Sequence, residues 1–558
     1  MMYLIDDLTR KIKIKHVIII WLAVNLASAF YSLLYADEAY YILFSKQLDF
    51  GYFDHPPMIA LMIRVGQFIF SNELGVRLLA VISVSTALYF TYKLADVQNP
   101  LLFLTVLFSI FGLNILGFLA LPDSPLLLFA VLFFTIYKRF LFKETVLNSL
   151  LLGIVMSAML YSKYQGILII FFTVLSNLRL FKSRLFWLAA NVSVLLFIPH
   201  LIWQFNNDFV SASYHFIERM PSHYKFSFTV EYILGQILYY GPFAAIFMFF
   251  AALKFKHSGL FDKALVWNLW GIIGFFLLSS LRGRVEVNWT LPILIPLLIF
   301  FLRYSVARPI FKKWFYISAV PVIVLICLLR LEVVSPVFNL NIDRLKDFRG
   351  HKELGKEIVE KSEGLPIIVN SYQMAGLVSF YTNTFVPGIC IDSRRNQFNL
   401  WHAVDSLRFK KVAYVENYLD EGVKIQNPYY SNYKITIIDS LPVMNDIRII
   451  TRLSKLSVSP KENIQVKVDL FTEKGPENYK DAGIYYTRLY ACLYQDDDLL
   501  SEKVCLFSID QLLEKNKGAC SFQFDAPSEK GKYQISVSLK TSGLGCWNTK
   551  KTINLTVK

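Results

Sequence analysis

Two acidic residues, Asp37 and Glu38, follow directly on the first hydrophobic run of the chain. Asp54-His55 comes next, inside the aromatic, proline-closed segment Gly51-Tyr52-Phe53-Asp54-His55-Pro56-Pro57. Asp123, Lys163, Arg282, Arg284 and Glu286 stand at later junctions between apolar runs. Charge at the edge of a bilayer is expensive and is usually kept for chemistry or transport. An enzyme that moves a group from a lipid carrier needs a base at the water interface, cations for the lipid phosphate and an apolar groove for the tail. Asp37 or Glu38 can serve as the base, while His55, Lys163, Arg282 and Arg284 are candidates for phosphate. Each also has a structural reading: helix capping for Asp37-Glu38 and Asp123, snorkelling for Lys163, solvated loop charge for the arginines. A divalent metal is an option at Asp37, Glu38 or Asp54, but nothing demands one, and His200 and His215 lack metal-ligand spacing.

These residues need a membrane scaffold to hold them. With 55% hydrophobic and 16% aromatic residues in 558, the chain is too apolar for a soluble protein and reads as polytopic. Hydrophobic runs repeat up to residue 332, predicting spans at 16–34, 74–95, 101–120, 125–141, 147–161, 166–179, 185–203, 231–253, 264–281, 290–303 and 315–332, about eleven in all. The first is read as a retained anchor, although Ala27-Ser28-Ala29 has the texture of a cleavage site. Arg10, Lys11, Lys13 and Lys15 precede it, and most later basic residues, among them Lys138-Arg139, Lys182, Lys254, Arg303 and Lys312-Lys313, fall in every second connection, which marks those as cytoplasmic. The loops with Asp37, Asp54, Asp123, Lys163, Asp208 and Glu286, and the tail from residue 333, then face outside. The net charge of +15 sits mainly in the cytoplasmic connections, where it fixes topology and meets anionic headgroups; nucleic acid is not an expected partner.

The tail divides in texture. Residues 333–445 alternate helix-like stretches (His351 to Lys361, Tyr372 to Tyr381) with strand-like ones (Pro366 to Asn370, Lys411 to Val415, Lys434 to Asp439), an α/β pattern. Residues 446–558 show period-two runs such as Ile464 to Val468, Tyr533 to Val537 and Ile553 to Val557, predicting a β-sandwich. Cys327 lies in the last span. Cys390, Cys492, Cys505, Cys520 and Cys546 lie in the tail, where disulfides can persist, and the last four allow three pairings.

Asp37-Glu38, Tyr52-Phe53-Asp54-His55-Pro56-Pro57, Leu121-Pro122-Asp123-Ser124-Pro125 and Ser162-Lys163-Tyr164-Gln165-Gly166, in that order, resemble the protein mannosyltransferase and aminoarabinose transferase group of GT-C membrane glycosyltransferases, in its bacterial form. Trp203 to Ser211 and Arg284-Val285-Glu286-Val287-Asn288-Trp289 extend the likeness over most of 16–332, and Asn396 to Trp401 carries it weakly into the tail. The resemblance implies a GT-C domain over 1–332 in a bacterial inner membrane, with the N-terminus cytoplasmic. It implies transfer of a sugar from a dolichyl- or undecaprenyl-type phosphate donor to a protein, lipid A or glycan acceptor outside, with inversion by single displacement. Asp37 would be the general base and Glu38 its partner or a metal contact. Asp54, His55, Asp123, Lys163, Tyr164, Arg282, Arg284 and Glu286 would bind donor phosphate or substrate. His55 stands where aminoarabinose transferases carry a lysine, so it would donate a hydrogen bond without a fixed charge. The rival readings are a transporter or lipid flippase using the same charges, and a non-catalytic scaffold whose sandwich binds a partner.

Overall fold

The computed structural model describes residues 12–558 apart from 216–223, 390, 393, 419–421, 496–497, 516 and 548–550; the expectations for Arg10, Lys11 and Cys390 fall outside them. The chain forms two compact units, Met1–Phe348 and Arg349–Lys558. The division lies beyond residue 332 because Phe348 packs among Ala29, Val81, Phe118 and Leu119.

The first unit is helical, and its turns are written in capping residues. Asn72, Asn99, Thr145 and Ser183 each accept from a backbone N–H in the following first turn, relieving donors that have no partner inside the helix. Helix Glu73–Ala95 is central, packing on Ile14–Tyr31, Met58–Ile69, Asp123–Phe142 and Leu294–Val306. Among the described residues seven helices are long and apolar enough to cross a membrane, or eight counting one bent pair, against about eleven expected.

The shortfall has local causes. The run 101–120 breaks into Pro100–Phe108 and Phe111–Leu116, each too short for a bilayer core that needs about 20 residues. At the break the Asn114 amide donates to the carbonyls of Leu107 and Ile110, both at 2.9 Å. The run 231–253 becomes Phe226–Tyr239 and Pro242–Lys254, bent by 96°. Pro242 brings no N–H to the ladder, and Gly241, at φ +86°, passes the Ser109 carbonyl so closely that a Cβ would lie 2.1 Å from its oxygen. Val146–Ser162 and Gly166–Ser176 are apolar but shorter than the spanning helices.

The second unit joins two patterns around one core. Strands β1 (Ile367–Val369), β2 (Val412–Glu416), β3 (Val423–Lys424) and β4 (Lys434–Ile438) form a sheet of order β1-β2-β4-β3, parallel only between β1 and β2, with helices His351–Lys361 and Tyr372–Thr382 in the same unit. Next come β5 (Arg448–Thr451), β6 (Lys455–Val458), β7 (Asn463–Phe471), β8 (Thr487–Gln495), β9 (Asp498–Val504), β10 (Ala519–Asp525), β11 (Gly531–Thr541), β12 (Gly545–Cys546) and β13 (Lys551–Val557). They build a sheet of order β10-β7-β5 and a larger one of order β6-β13-β11-β8-β9, with β12 on β11. The alternation read in β7 is an alternation of burial, and Val466, Phe522, Ile535 and Leu555 meet in a cluster that also holds Ile368 and Tyr414 of the α/β half. The two textures of the tail therefore share a single core.

A polar link adds to it: Asp446 pairs with Arg408 at 3.2 Å and Lys474 at 3.1 Å and accepts from the Tyr479 hydroxyl at 2.8 Å. Burial alone would raise the Asp446 carboxyl, but the Tyr479 donation and the two cations outweigh it and hold it below the usual carboxylate range. A depressed native pKa contributes stability that is present above the unfolded value of about 4 and is lost as pH falls through the native one. Asp446→Asn should therefore reduce heat resistance at neutral pH and flatten its acid-side decline; an unchanged pH profile would refute the link. Gly241→Ala, which forces a side chain into positive φ against a carbonyl, should cost on the order of 2 kcal/mol in melts of the detergent-solubilised protein.

Candidate active site

Arg77, in an otherwise apolar helix, is fully buried, and so is Glu38. The guanidinium grips both Glu38 oxygens, Nε to Oε1 at 2.8 Å and a terminal nitrogen to Oε2 at 2.6 Å. Its remaining donors reach Ala29 O, Ser32 O, Ser32 Oγ and Leu33 O at 2.8–3.1 Å, satisfying carbonyls at the end of helix Ile14–Tyr31 that have no partner within it. Glu38 also accepts from the backbone N–H groups of Tyr35 at 2.9 Å and Ala120 at 2.7 Å. Four donors fill its two oxygens, so Glu38 ties the end of helix Ile14–Tyr31, the start of helix Ala36–Lys46 and the Ala120 loop together. A metal at this carboxylate would have to displace Arg77, so the residues do not fit one there. Among the described residues no group of three His, Cys, Asp or Glu side chains is arranged to hold a metal.

One residue earlier, Asp37 opens the first turn of helix Ala36–Lys46 and is half-buried. Its charge acts on the Tyr35 hydroxyl and on Asp347. Burial, then Asp37, push the Tyr35 hydroxyl up to about 12, against the opposing Arg344. Burial raises the Asp347 carboxyl, Arg344 lowers it, and Asp37 and Asp343 raise it further.

The backbone bond from Ala120 to Glu38 brings the second loop beside the first. Asp123, buried at the start of its helix, takes the Lys163 ammonium on both oxygens at 2.9 and 2.8 Å and the Asn288 amide at 3.2 Å. Lys163 is itself buried, so it does not snorkel to water. It follows Ser162, at the end of a helix and before the turn of the Ser162-Lys163-Tyr164-Gln165-Gly166 motif. Asp123 also acts electrostatically on Tyr239 and Tyr240.

Tyr164 carries the cluster toward Asp54, whose charge it senses. Its hydroxyl accepts from Gln204 at 2.9 Å and lies 3.3 Å from His200 Nε2. His200 Nδ1 sits 2.7 Å from the Phe50 carbonyl, which can only accept, so Nδ1 carries the proton and Nε2 is the acceptor. His215 meets the Asp54 carbonyl at 3.0 Å, Ser211 donates to Tyr52 O at 2.9 Å and Trp203 donates to Asp49 at 2.8 Å. Gly51 lies so close under the Trp203 ring that a Cβ would be 2.3 Å from it. The His55 ring stands edge-on to Tyr41 at 5.4 Å.

Asp37, Asp54, His55, Asp123, Lys163 and Tyr164 therefore belong to loops tied to one another. Arg282 and Arg284 are exposed, and Arg284 pairs loosely with Glu231 at 3.6 Å. Glu286 is half-buried at the start of the turn that delivers Asn288. Arg77, Asn288, His200 and Gln204 were not among the expected site residues. A usable signal existed for two, since His200 and Gln204 are one helical turn apart in an apolar run and so share a face.

Removing one partner of a buried ion pair strands the other, at about 3–5 kcal/mol. Arg77→Met should therefore destabilise the solubilised protein by that amount in thermal melts; a loss under about 1 kcal/mol would refute the buried pair.

Residues 54–203 match the model of the dolichyl-phosphate-mannose-protein mannosyltransferase family. The fold is similar to the crystal structure of ArnT from Cupriavidus metallidurans bound to undecaprenyl phosphate, with a TM-score of 0.51 at 14% identity over 72% of this chain and 92% of that one. No curated protein matches the chain. The family segment spans the Asp54, Asp123, Lys163 and His200 motifs, and the architecture is similar to that of ArnT.

Proposed function

We propose that the chain transfers a sugar from a polyprenyl-phosphate donor to an acceptor on the extracytoplasmic face, with Asp37 as general base. The observation that carries this reading is Asp37 itself, a half-buried carboxylate whose neighbour Glu38 is locked to Arg77 and to the Ala120 N–H at the loop bearing Asp123 and Lys163. In a single displacement the acceptor gives its proton to Asp37 and its lone pair to the anomeric carbon. The bond from that carbon to the phosphate oxygen breaks, and the electron pair leaves on the phosphate. Such a leaving group departs as an anion and needs cations rather than a general acid. Lys163 is the cation the site offers: Asp123 takes two hydrogen bonds from an ammonium that has three donors. Asn288 and Tyr164 flank the pair as polar contacts for sugar or phosphate, and Asp54 and His55 border it.

The basic residues in alternate connections support a cytoplasmic N-terminus with the loops and the second unit outside, in a bacterial inner membrane. The carrier bound by ArnT, undecaprenyl phosphate, selects the first donor class to try; sugar and acceptor are to be read from the assay. A purified wild type incubated with labelled undecaprenyl-phosphate sugars and an envelope acceptor extract should release undecaprenyl phosphate, and Asp37→Asn should lower the rate at least about 100-fold, the usual scale of general-base loss. Lys163→Met should lower it with a change in donor dependence. An active Asp37→Asn would eliminate the base assignment, and a folded wild type that turns over no donor would favour a transporter or a scaffold.

A further inference from the structure

We propose that Cys505 and Cys520 form a disulfide that staples the two sheets of the second unit at one edge, while Cys492 and Cys546 stay unpaired. Cys505 directly follows β9, the edge strand of the larger sheet, and Cys520 lies in β10, the edge strand of the smaller one. Both line one cavity of about 630 Å³, together with Phe507, Leu512 and Phe522. Both thiols are free in the structure, and each is the strongest influence on the other: Cys520 holds Cys505 below the usual thiol range, and Cys505 raises Cys520. Of the three pairings, only the one containing this pair joins two cysteines that line the same cavity. Cys492, in β8, faces Ser536 of β11, and Cys546, in β12, faces Lys540 on the opposite edge of β11. Two ladder spacings, about 10 Å, separate their strands, beyond the reach of a disulfide. Cys492 instead donates to Glu502 at 3.6 Å, its cross-strand neighbour in β9.

The oxidant is a small or protein disulfide of the glutathione or dithiol-oxidoreductase class. The Cys505 thiolate attacks one of its sulfurs and expels a thiolate. Cys520 then loses its proton and attacks Cys505 in the mixed disulfide, forming the bridge and expelling the second thiolate. Two electrons pass to the oxidant and two protons to the released thiolates or to water. The cavity exposes the pair to such a partner, and the bridge closes the loop carrying helix Ile509–Lys515.

Persistence of the bridge in cells rests on the extracytoplasmic placement of this unit given under Proposed function, so two arms separate the claims. In the first, full-length protein is reduced, treated with oxidised glutathione, alkylated and mapped by mass spectrometry. The expected result is one linked peptide pair, Cys505 with Cys520, lost in Cys520→Ser, with Cys492 and Cys546 alkylated. A link through any other pair, or none in folded protein, overturns the pairing. In the second, cells are alkylated before lysis. A bridge already present upholds the pairing and the oxidising location; a bridge that forms only in the first arm overturns the location and leaves the pairing standing.

Discussion

The membrane unit is organised by one buried ion pair. Arg77 lies near the start of the centrally packed helix Glu73–Ala95, and its hydrogen bonds go to groups that need a donor: two oxygens of Glu38 and four oxygens at the end of the first helix. In an apolar surrounding an unpartnered carbonyl or carboxylate is costly, so this arrangement fixes where the first helix ends, where the next begins and how far the Ala120 loop stands from both. A second arginine does the same at the other end of the central helix. Arg303 donates to the carbonyls of Leu94 and Ala95 at 3.0 and 2.9 Å and to Asp262 at 2.8 Å. The central helix is thus held near one end by its own Arg77 and at the other by Arg303 of a neighbouring helix, which suits the planar, many-donor character of arginine.

Adjacent carboxylates can then differ in role without differing in type. Glu38 has its oxygens filled by four donors and is buried; Asp37 sits one residue earlier in the same turn, half-buried, and its charge acts on Tyr35 and Asp347. A carboxylate whose oxygens are filled by a guanidinium and two backbone N–H groups has little room left for a substrate.

Much of this architecture was legible in the chain. Long apolar runs predicted most of the spanning helices because length and hydropathy suffice, and period-two alternation predicted β7, β11 and β13 because one face of each is buried. The misreadings arose where a tertiary hydrogen bond outranks local pattern. Asn114 turns its amide on two carbonyls and ends a helix that hydropathy alone would continue. Gly241-Pro242 was a visible break signal, overridden by the apolar sequence around it. Arg77 was not among the expected site residues because its partner lies 39 positions away, and nothing in the linear sequence pairs a residue of one helix with the first turn of another. Arg282 and Arg284 drew attention for standing in a loop expected outside, whereas the contact from that segment to Asp123 comes from the uncharged Asn288.

The Asp123–Lys163 pair gives the proposed reaction a constraint of its own. An ammonium already held by both oxygens of a buried carboxylate attracts a phosphate less than a lone lysine would, because the approaching anion meets a nearly neutral pair. Asp123, with Asn288 as a second donor to the same oxygen, fixes where the remaining N–H of Lys163 points. Donor phosphate would then be recognised by a directed hydrogen bond more than by net charge. The contact strengthens as negative charge grows on the departing oxygen, so its contribution is larger in the transition state than in the bound donor.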